Sequence, residues 1–199
     1  LARAFPDVVR PCAGYHPWNV SAESADEEIR WVAEHLDSSV ALGEVGLDYK
    51  IKVAKQLQRE VYSRLLELAV VRDKPVIIHS RASQERTLEL TRTAGVRKAV
   101  FHWYSGSTET LRKILDAGYL ISATPALAYS TPHRQAVRYA PVDRLLLETD
   151  APVSYQGVPS VPEDVWKTLR YAASLKEMDE EILAEAVTRN STEFFGLDV

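Results

Sequence analysis

At 199 residues, with 46% hydrophobic and 26% charged residues, the sequence has the make-up of an ordinary globular chain, most simply one domain over 1–199. A formal net charge of −4 argues against tight, sequence-independent wrapping of duplex nucleic acid, although a local basic cleft stays open. No apolar run approaches the roughly 20 residues of a membrane helix, so no membrane partner is expected, and no signal peptide is visible. The single cysteine, Cys12, cannot form an internal disulfide; a reducing, cytoplasmic setting and a buried, space-filling thiol are expected.

Short apolar runs alternate with amphipathic segments along the chain. The run VVRPCAG (8–14) precedes a helical stretch over 24–36, where Ser24 and Glu27 have capping-box spacing and Ile29, Val32, Ala33 and Leu36 line one face. VALGEVG (40–46) precedes a helix marked by Ala54, Leu57, Val61, Leu65 and Leu68 at steps of three and four. KPVIIHS (74–80) leads to a helix over 83–94 that stops at Gly95, and KAVFHWYS (98–105) leads to Leu111, Ile114 and Leu115, with Gly118 as C-terminal cap. YLISATP (119–125) is followed by a short helix over 132–140. RLLLETDAP (144–152) is followed by a loop and two helices, 162–175 and 179–194; Asp179 caps the second, which packs through Ile182, Ala186 and Val187.

These are six strand–helix units. Their strands are continuous apolar runs, the mark of a parallel sheet covered by helices. A doubly wound open sheet and a (β/α)8 barrel both fit the rhythm, but no glycine-rich phosphate loop follows any strand, which weakens a nucleotide-binding reading.

Chemistry gathers at the strand ends. Glu44, His79, His102 and Asp150 close the second, third, fourth and sixth runs, and in parallel α/β folds those ends share one face. Two imidazoles and two carboxylates there suit a divalent metal, which would also explain an acidic side chain ending an interior strand. His16 ends the first run and reads as a phosphate-binding or supporting group. Arg81 fits either a phosphate contact or a surface ion pair. Asp48 either orients a neighbouring ligand or caps the following turn; Trp103 and Tyr104 read as packing, and His35 and His133 as solvated.

GYHPW (14–18), GEVGLDY (43–49), IIHSR (77–81), FHWYSG (101–106), LLLETDAP (145–152) and RNSTEFFG (189–196) occur in order, and together the sequence resembles the TatD family of metal-dependent deoxyribonucleases, within the amidohydrolase-like TIM barrels. The resemblance implies a (β/α)8 TIM-barrel type fold and two divalent ions bridged by Glu44. It implies metal-activated water cleaving phosphodiester bonds, with single-stranded DNA or nucleic-acid ends as the substrate. His79 and His102 would complete one metal site with Glu44; Asp150 would ligate the other ion and orient or deprotonate the water. The catalytic pair is then Asp150 and Glu44, the metal ligands Glu44, His79, His102 and Asp150, and the substrate contacts His16 and Arg81. The ion could be Mg2+, Zn2+, Mn2+ or Ni2+. Hydrolysis of another ester, lactone or amide, and a non-catalytic metal-binding role, are the competing readings.

Two departures from the family pattern stand out. No His-x-His pair is present among His16, His35, His79, His102 and His133, so the chain is expected to enter the barrel at its third strand, lacking the N-terminal strands with about six of eight βα units present. The stretch VSYQGVPSVPEDV lacks the Arg and Asn of many relatives, which puts substrate contacts there in question.

Overall fold

The computed structural model describes residues 1–197, which fall into two compact units, Leu1–Val100 and a second that begins at Phe101. In the first unit the short strand β1 (Cys12–Ala13) pairs in parallel with β2 (Ala41–Asp48), and β2 with β3 (Val76–Arg81). Helices α1 (Ala25–His35), α2 (Lys55–Val71) and α3 (Gln84–Thr93) connect and follow these strands. β2 is buried along nearly its whole length: Leu42, Val45 and Leu47 have no exposure, nor has Ile78 of β3. Fully burying such a side chain stabilises the fold by about 1.5–3 kcal/mol. Continuous burial, in place of alternation, is why these strands read as unbroken apolar runs.

Two glycines let the strands come this close. A Cβ on Gly14 would sit 2.5 Å from the carbonyl carbon of Gly43, and one on Gly46, at φ +148°, would sit 2.0 Å from the carbonyl oxygen of His79.

The second unit holds the end of β4 (Ala99–Phe101), then α4 (Thr108–Asp116), β5 (Leu120–Ala123), α5 (Thr131–Tyr139) and β6 (Leu145–Leu147), with β5 and β6 parallel. Past β6 the expected loop contains a small antiparallel hairpin, β7 (Ser154–Tyr155) and β8 (Val158–Pro159). Its turn residues Gln156 and Gly157 both have positive φ, 52° and 85°, the mirror-image geometry that a two-residue hairpin loop needs. Helices α6 (Val165–Lys176) and α7 (Glu180–Phe195) finish the unit.

Several expectations change in detail. Cys12 is exposed: on β1 Ala13 turns inward and Cys12 outward. The Ser24 hydroxyl does not cap α1, because Tyr15 Oη (2.8 Å) and Ser21 Oγ (2.9 Å) hold it. Asp179 caps α7 as expected, accepting the N–H groups of Glu181 and Ile182, but the helix is rotated so that Leu183, Val187 and Phe194 are buried while Ile182 is exposed. No helix among the described residues is long and apolar enough to cross a membrane.

Candidate metal centre

In the first unit, β2 and β3 lose register between Leu42 and Val45. Three steps along β2 (Leu42 to Val45) match two along β3 (Val76 to Ile78), so the segment carrying Glu44 holds one extra residue. Such bulges bend a strand and re-aim a side chain. The Glu44 carboxylate lies with its Oε1 2.8 Å from His79 Nδ1 and 3.6 Å from His16 Nε2, and the two imidazoles are 3.4 Å apart at Nε2 and Nδ1. Ligand atoms about 2.0–2.2 Å from one small cation stand roughly 3–3.6 Å from one another, so the spacing and the mixed N/O donors fit a divalent ion.

His16 has a second constraint. The backbone N–H of Trp18 donates to its Nδ1 at 3.2 Å, which places the proton of a neutral ring on Nε2. In that state His16 presents a donor, not a lone pair, toward Glu44.

Behind His79 stands Asp48, the last residue of β2, with no exposure at all. Its Oδ2 accepts the indole N–H of Trp18 (2.7 Å) and a hydrogen bond from His79 Nε2 (3.2 Å); its Oδ1 accepts the backbone N–H of Lys50 (2.8 Å). Burial works to raise this carboxyl, but the three donors and the positive character of His79 outweigh it and hold the group below the usual carboxylate range. Gln58 of α2 fixes the same residue's backbone, accepting Asp48 N–H (2.8 Å) and donating to its carbonyl (2.9 Å). Asp48 therefore does both things considered for it, orienting a histidine and closing the turn.

In the second unit, ligand atoms of His102, Glu148 and Asp150 all lie within 4.8 Å of one another. Glu148 Oε1 accepts from the Ser122 hydroxyl and from Trp103 N–H (3.2 Å), and pairs with His102 Nδ1 at 3.3 Å. Desolvation would raise the Glu148 carboxyl; His102 and these donors reverse that and lower it. Trp103 and Asp150 adopt left-handed backbone, φ 42° and 51°, conformations that cost non-glycine residues of order 1–3 kcal/mol and cluster at functional sites.

The four sequence-expected ligands thus fall two to each unit, Glu44 and His79 in the first, His102 and Asp150 in the second. Each pair has an extra carboxylate beside its histidine. Glu148 did not stand out in the sequence, although it lies two residues before Asp150 in the same LETDAP run. Arg81 ends β3 as an exposed side chain. His133, expected in solvent, is fully buried: Thr124 N–H donates to its Nε2 (3.1 Å) and its Nδ1 donates to the Tyr104 carbonyl (2.8 Å).

Comparisons with known proteins agree with this donor chemistry. A family model described as TatD related DNase matches residues 1–196. The chain is 35% identical to the uncharacterized metal-dependent hydrolase YcfH of Escherichia coli K12, over 96% of this chain and 75% of that protein. It is 28% identical to the human deoxyribonuclease TATDN3, over 98% of this chain and 77% of that protein. The crystal structure of YJJV, a TatD homologue from Escherichia coli K12, superposes with a TM-score of 0.85 at 27% identity, covering 98% of this chain and 81% of that one.

Proposed function

Since the chain belongs to the TatD related DNase family and is a metal-dependent hydrolase of that type, we propose that it cleaves phosphodiester bonds at nucleic-acid ends, with single-stranded DNA as its substrate. Its α/β fold is of the (β/α)8 TIM-barrel type, with fewer than eight barrel strands among the described residues. The cofactor is a divalent metal; two ions, magnesium or zinc, are part of the proposal. The observation that carries it is the meeting of Glu44 Oε1 and His79 Nδ1 at 2.8 Å on a bulged strand, with a buried carboxylate behind the imidazole.

In this reading Glu44, His79, His102 and Asp150 hold the cations. When bound, such ions supply a Lewis acid that makes water nucleophilic near neutral pH and offsets charge building on phosphoryl oxygens. Asp150 takes the proton of the attacking water on a carboxylate oxygen. The Nε2–H of His16 donates to a phosphate oxygen, and the fork of Arg81 pairs with a neighbouring phosphate. The rings of His79 and His102 stand against carboxylate partners, Asp48 and Glu148, that restrain them.

The test is hydrolysis of 3′- and 5′-labelled single-stranded oligonucleotides with and without chelator, beside p-nitrophenyl ester and lactone panels. Metal-dependent shortening of the oligonucleotides supports the proposal. Intact oligonucleotides together with turnover of a lactone or ester would assign a different bond. Glu44→Gln should lose metal uptake and turnover with an unchanged circular dichroism spectrum; full activity in that variant overturns the metal assignment.

A further inference from the structure

Three exposed residues meet at the buried Asp48. Its Oδ2 accepts the indole N–H of Trp18 (2.7 Å), its Oδ1 accepts the backbone N–H of Lys50 (2.8 Å), and Arg81 is its register partner on β3. We infer that Trp18 is a stacking platform for an unpaired nucleobase beside the metal centre, with Lys50 and Arg81 taking phosphates of the same strand. The inference rests on the functional reading above, and deepens it by naming the residue that selects an unstacked, single-stranded end.

Trp18 is exposed and yet held in place. It lies in a short 3-10 helix, Pro17–Asn19, where its backbone N–H donates to His16 Nδ1 at 3.2 Å while its indole N–H is tied to Asp48. As a residue it is 55% exposed. The rings of His16 and His79 stand 4.9 and 6.1 Å from it at 89° and 78°, so neither lies parallel to the indole. Trp31 is the contrasting case: its ring is already stacked on His35, at 4.2 Å and 18°. A ring fixed before binding loses little rotamer freedom when a ligand lies on it. Every base has a π-face, so stacking on an aromatic side chain tolerates any sequence. A base inside a duplex has both faces covered by its neighbours, and only an unpaired end can use such a platform. With the His79 ring 6.1 Å from the indole, the stacked base belongs to a nucleotide at or next to the bond being cut.

The charge that follows Asp48 suits a polyanion. Lys50, Lys52, Lys55 and Arg59 occur with no carboxylate between them, in a chain whose formal net charge is −4. Lys50, Lys52, Lys55 and Arg81 are exposed, and none of these five cations forms an ion pair among the described residues. Lys55 lies over the ring of Tyr49, the neighbour of Asp48, at 4.7 Å. Cations without an acid to give up are ready to meet phosphate oxygens.

The experiment pairs a missing base with a missing indole. Short single-stranded oligonucleotides with one abasic residue, placed in turn at each terminal position, are hydrolysed with magnesium or zinc by wild type and by Trp18→Ala. In wild type the abasic residue should raise KM about 5–150-fold at one position, and in Trp18→Ala that difference should vanish. The ratio is taken within each protein, so any effect of the lost Trp18–Asp48 hydrogen bond on metal binding or kcat cancels. An equal abasic penalty in both proteins, or no penalty at any position, overturns the inference and leaves the functional reading standing. Oligonucleotides left intact by wild type overturn the functional reading, and the inference with it. Lys50→Gln should weaken all the oligonucleotides alike and lower the salt dependence of KM, with the abasic ratio kept; an unchanged salt dependence overturns the phosphate contact at Lys50. If Trp18→Ala does not fold, fluorine spectra of wild type carrying 5-fluorotryptophan decide the matter. Titration with a cleavage-resistant phosphorothioate dithymidylate should shift the Trp18 resonance, assigned through Trp18→Phe, and leave that of Trp31 in place; a Trp18 resonance that does not move overturns the inference.

Discussion

The indole N–H of Trp18 reaches the buried carboxylate of Asp48 at 2.7 Å, although Trp18 as a residue is 55% exposed. An exposed aromatic therefore acts on the interior end of β2. Trp18→Phe keeps an aromatic ring beside His16 but removes the donor from a carboxylate that has no solvent of its own. Hydrogen bonds to charged groups are worth about 1.5–3 kcal/mol, so urea unfolding should show a loss near the lower end of that range. Zinc affinity should fall with it, because Asp48 also holds His79. Unchanged stability and unchanged zinc binding would show that water replaces the indole at no cost.

Gly46 and Gly95 look alike in sequence and should behave differently. At Gly46 an added methyl would sit 2.0 Å from the His79 carbonyl oxygen, in the backbone of the neighbouring strand; at Gly95, with φ +80°, it would meet nothing within 4 Å. Gly95→Ala should cost only the left-handed penalty of roughly 1–2 kcal/mol. Gly46→Ala should exceed about 4 kcal/mol, the range reserved for strain that the surroundings cannot relieve, and should separate His79 from Glu44. Thermal melts of the two variants side by side check the contrast.

The strand–helix rhythm and the residues at the strand ends were legible because both rest on local signals: unbroken apolar runs, glycine stops and motif order. What escaped were partners set by tertiary approach. Ser24 and Glu27 have the spacing of a capping box, yet Tyr15 Oη and Ser21 take the hydroxyl. Glu148 lies beside a recognisable aspartate, but its meeting with His102, 46 positions earlier in the numbering, depends on how β4 and β6 end. The turn at Gln156–Gly157 is a short-range signal that could have been read, as a two-residue hairpin loop.

His133 illustrates the same point and gives a pH prediction. Polar neighbours and a preceding proline suggest a solvated helix start, but the ring is buried, with Nε2 accepting from Thr124 N–H and Nδ1–H donating to Tyr104. Burial pushes its pKa below the ordinary histidine value, against the raising effect of the Tyr104 hydrogen bond. The unfolded chain therefore takes up a proton near pH 6.5 that the folded chain refuses, and stability falls as pH drops below that point, flattening below the folded value. The slope is at most about 1.4 kcal/mol per pH unit. Urea unfolding at pH 7.5 and 5.5 should show a larger drop for wild type than for His133→Gln, which has no proton to gain; equal drops would place the titration elsewhere.

Gln58 gives the sharpest test of how the helix layer supports the site. Its side chain is almost fully buried and makes three hydrogen bonds, all to backbone: Asp48 N–H, the Asp48 carbonyl and the Val53 carbonyl at 3.0 Å. Gln58→Leu has similar volume and suits the apolar pattern of α2, so propensity and packing alone would allow it. It leaves the two buried backbone groups of Asp48 without these partners, each at about 1–3 kcal/mol where water cannot reach, and frees the part-buried Val53 carbonyl as well. A fall of several kcal/mol in urea unfolding is expected, with zinc binding weakened even under conditions where the variant is fully folded, because Asp48 would no longer be pinned behind His79. A stable Gln58→Leu protein with wild-type zinc affinity would show that β2 holds Asp48 in place without help from α2.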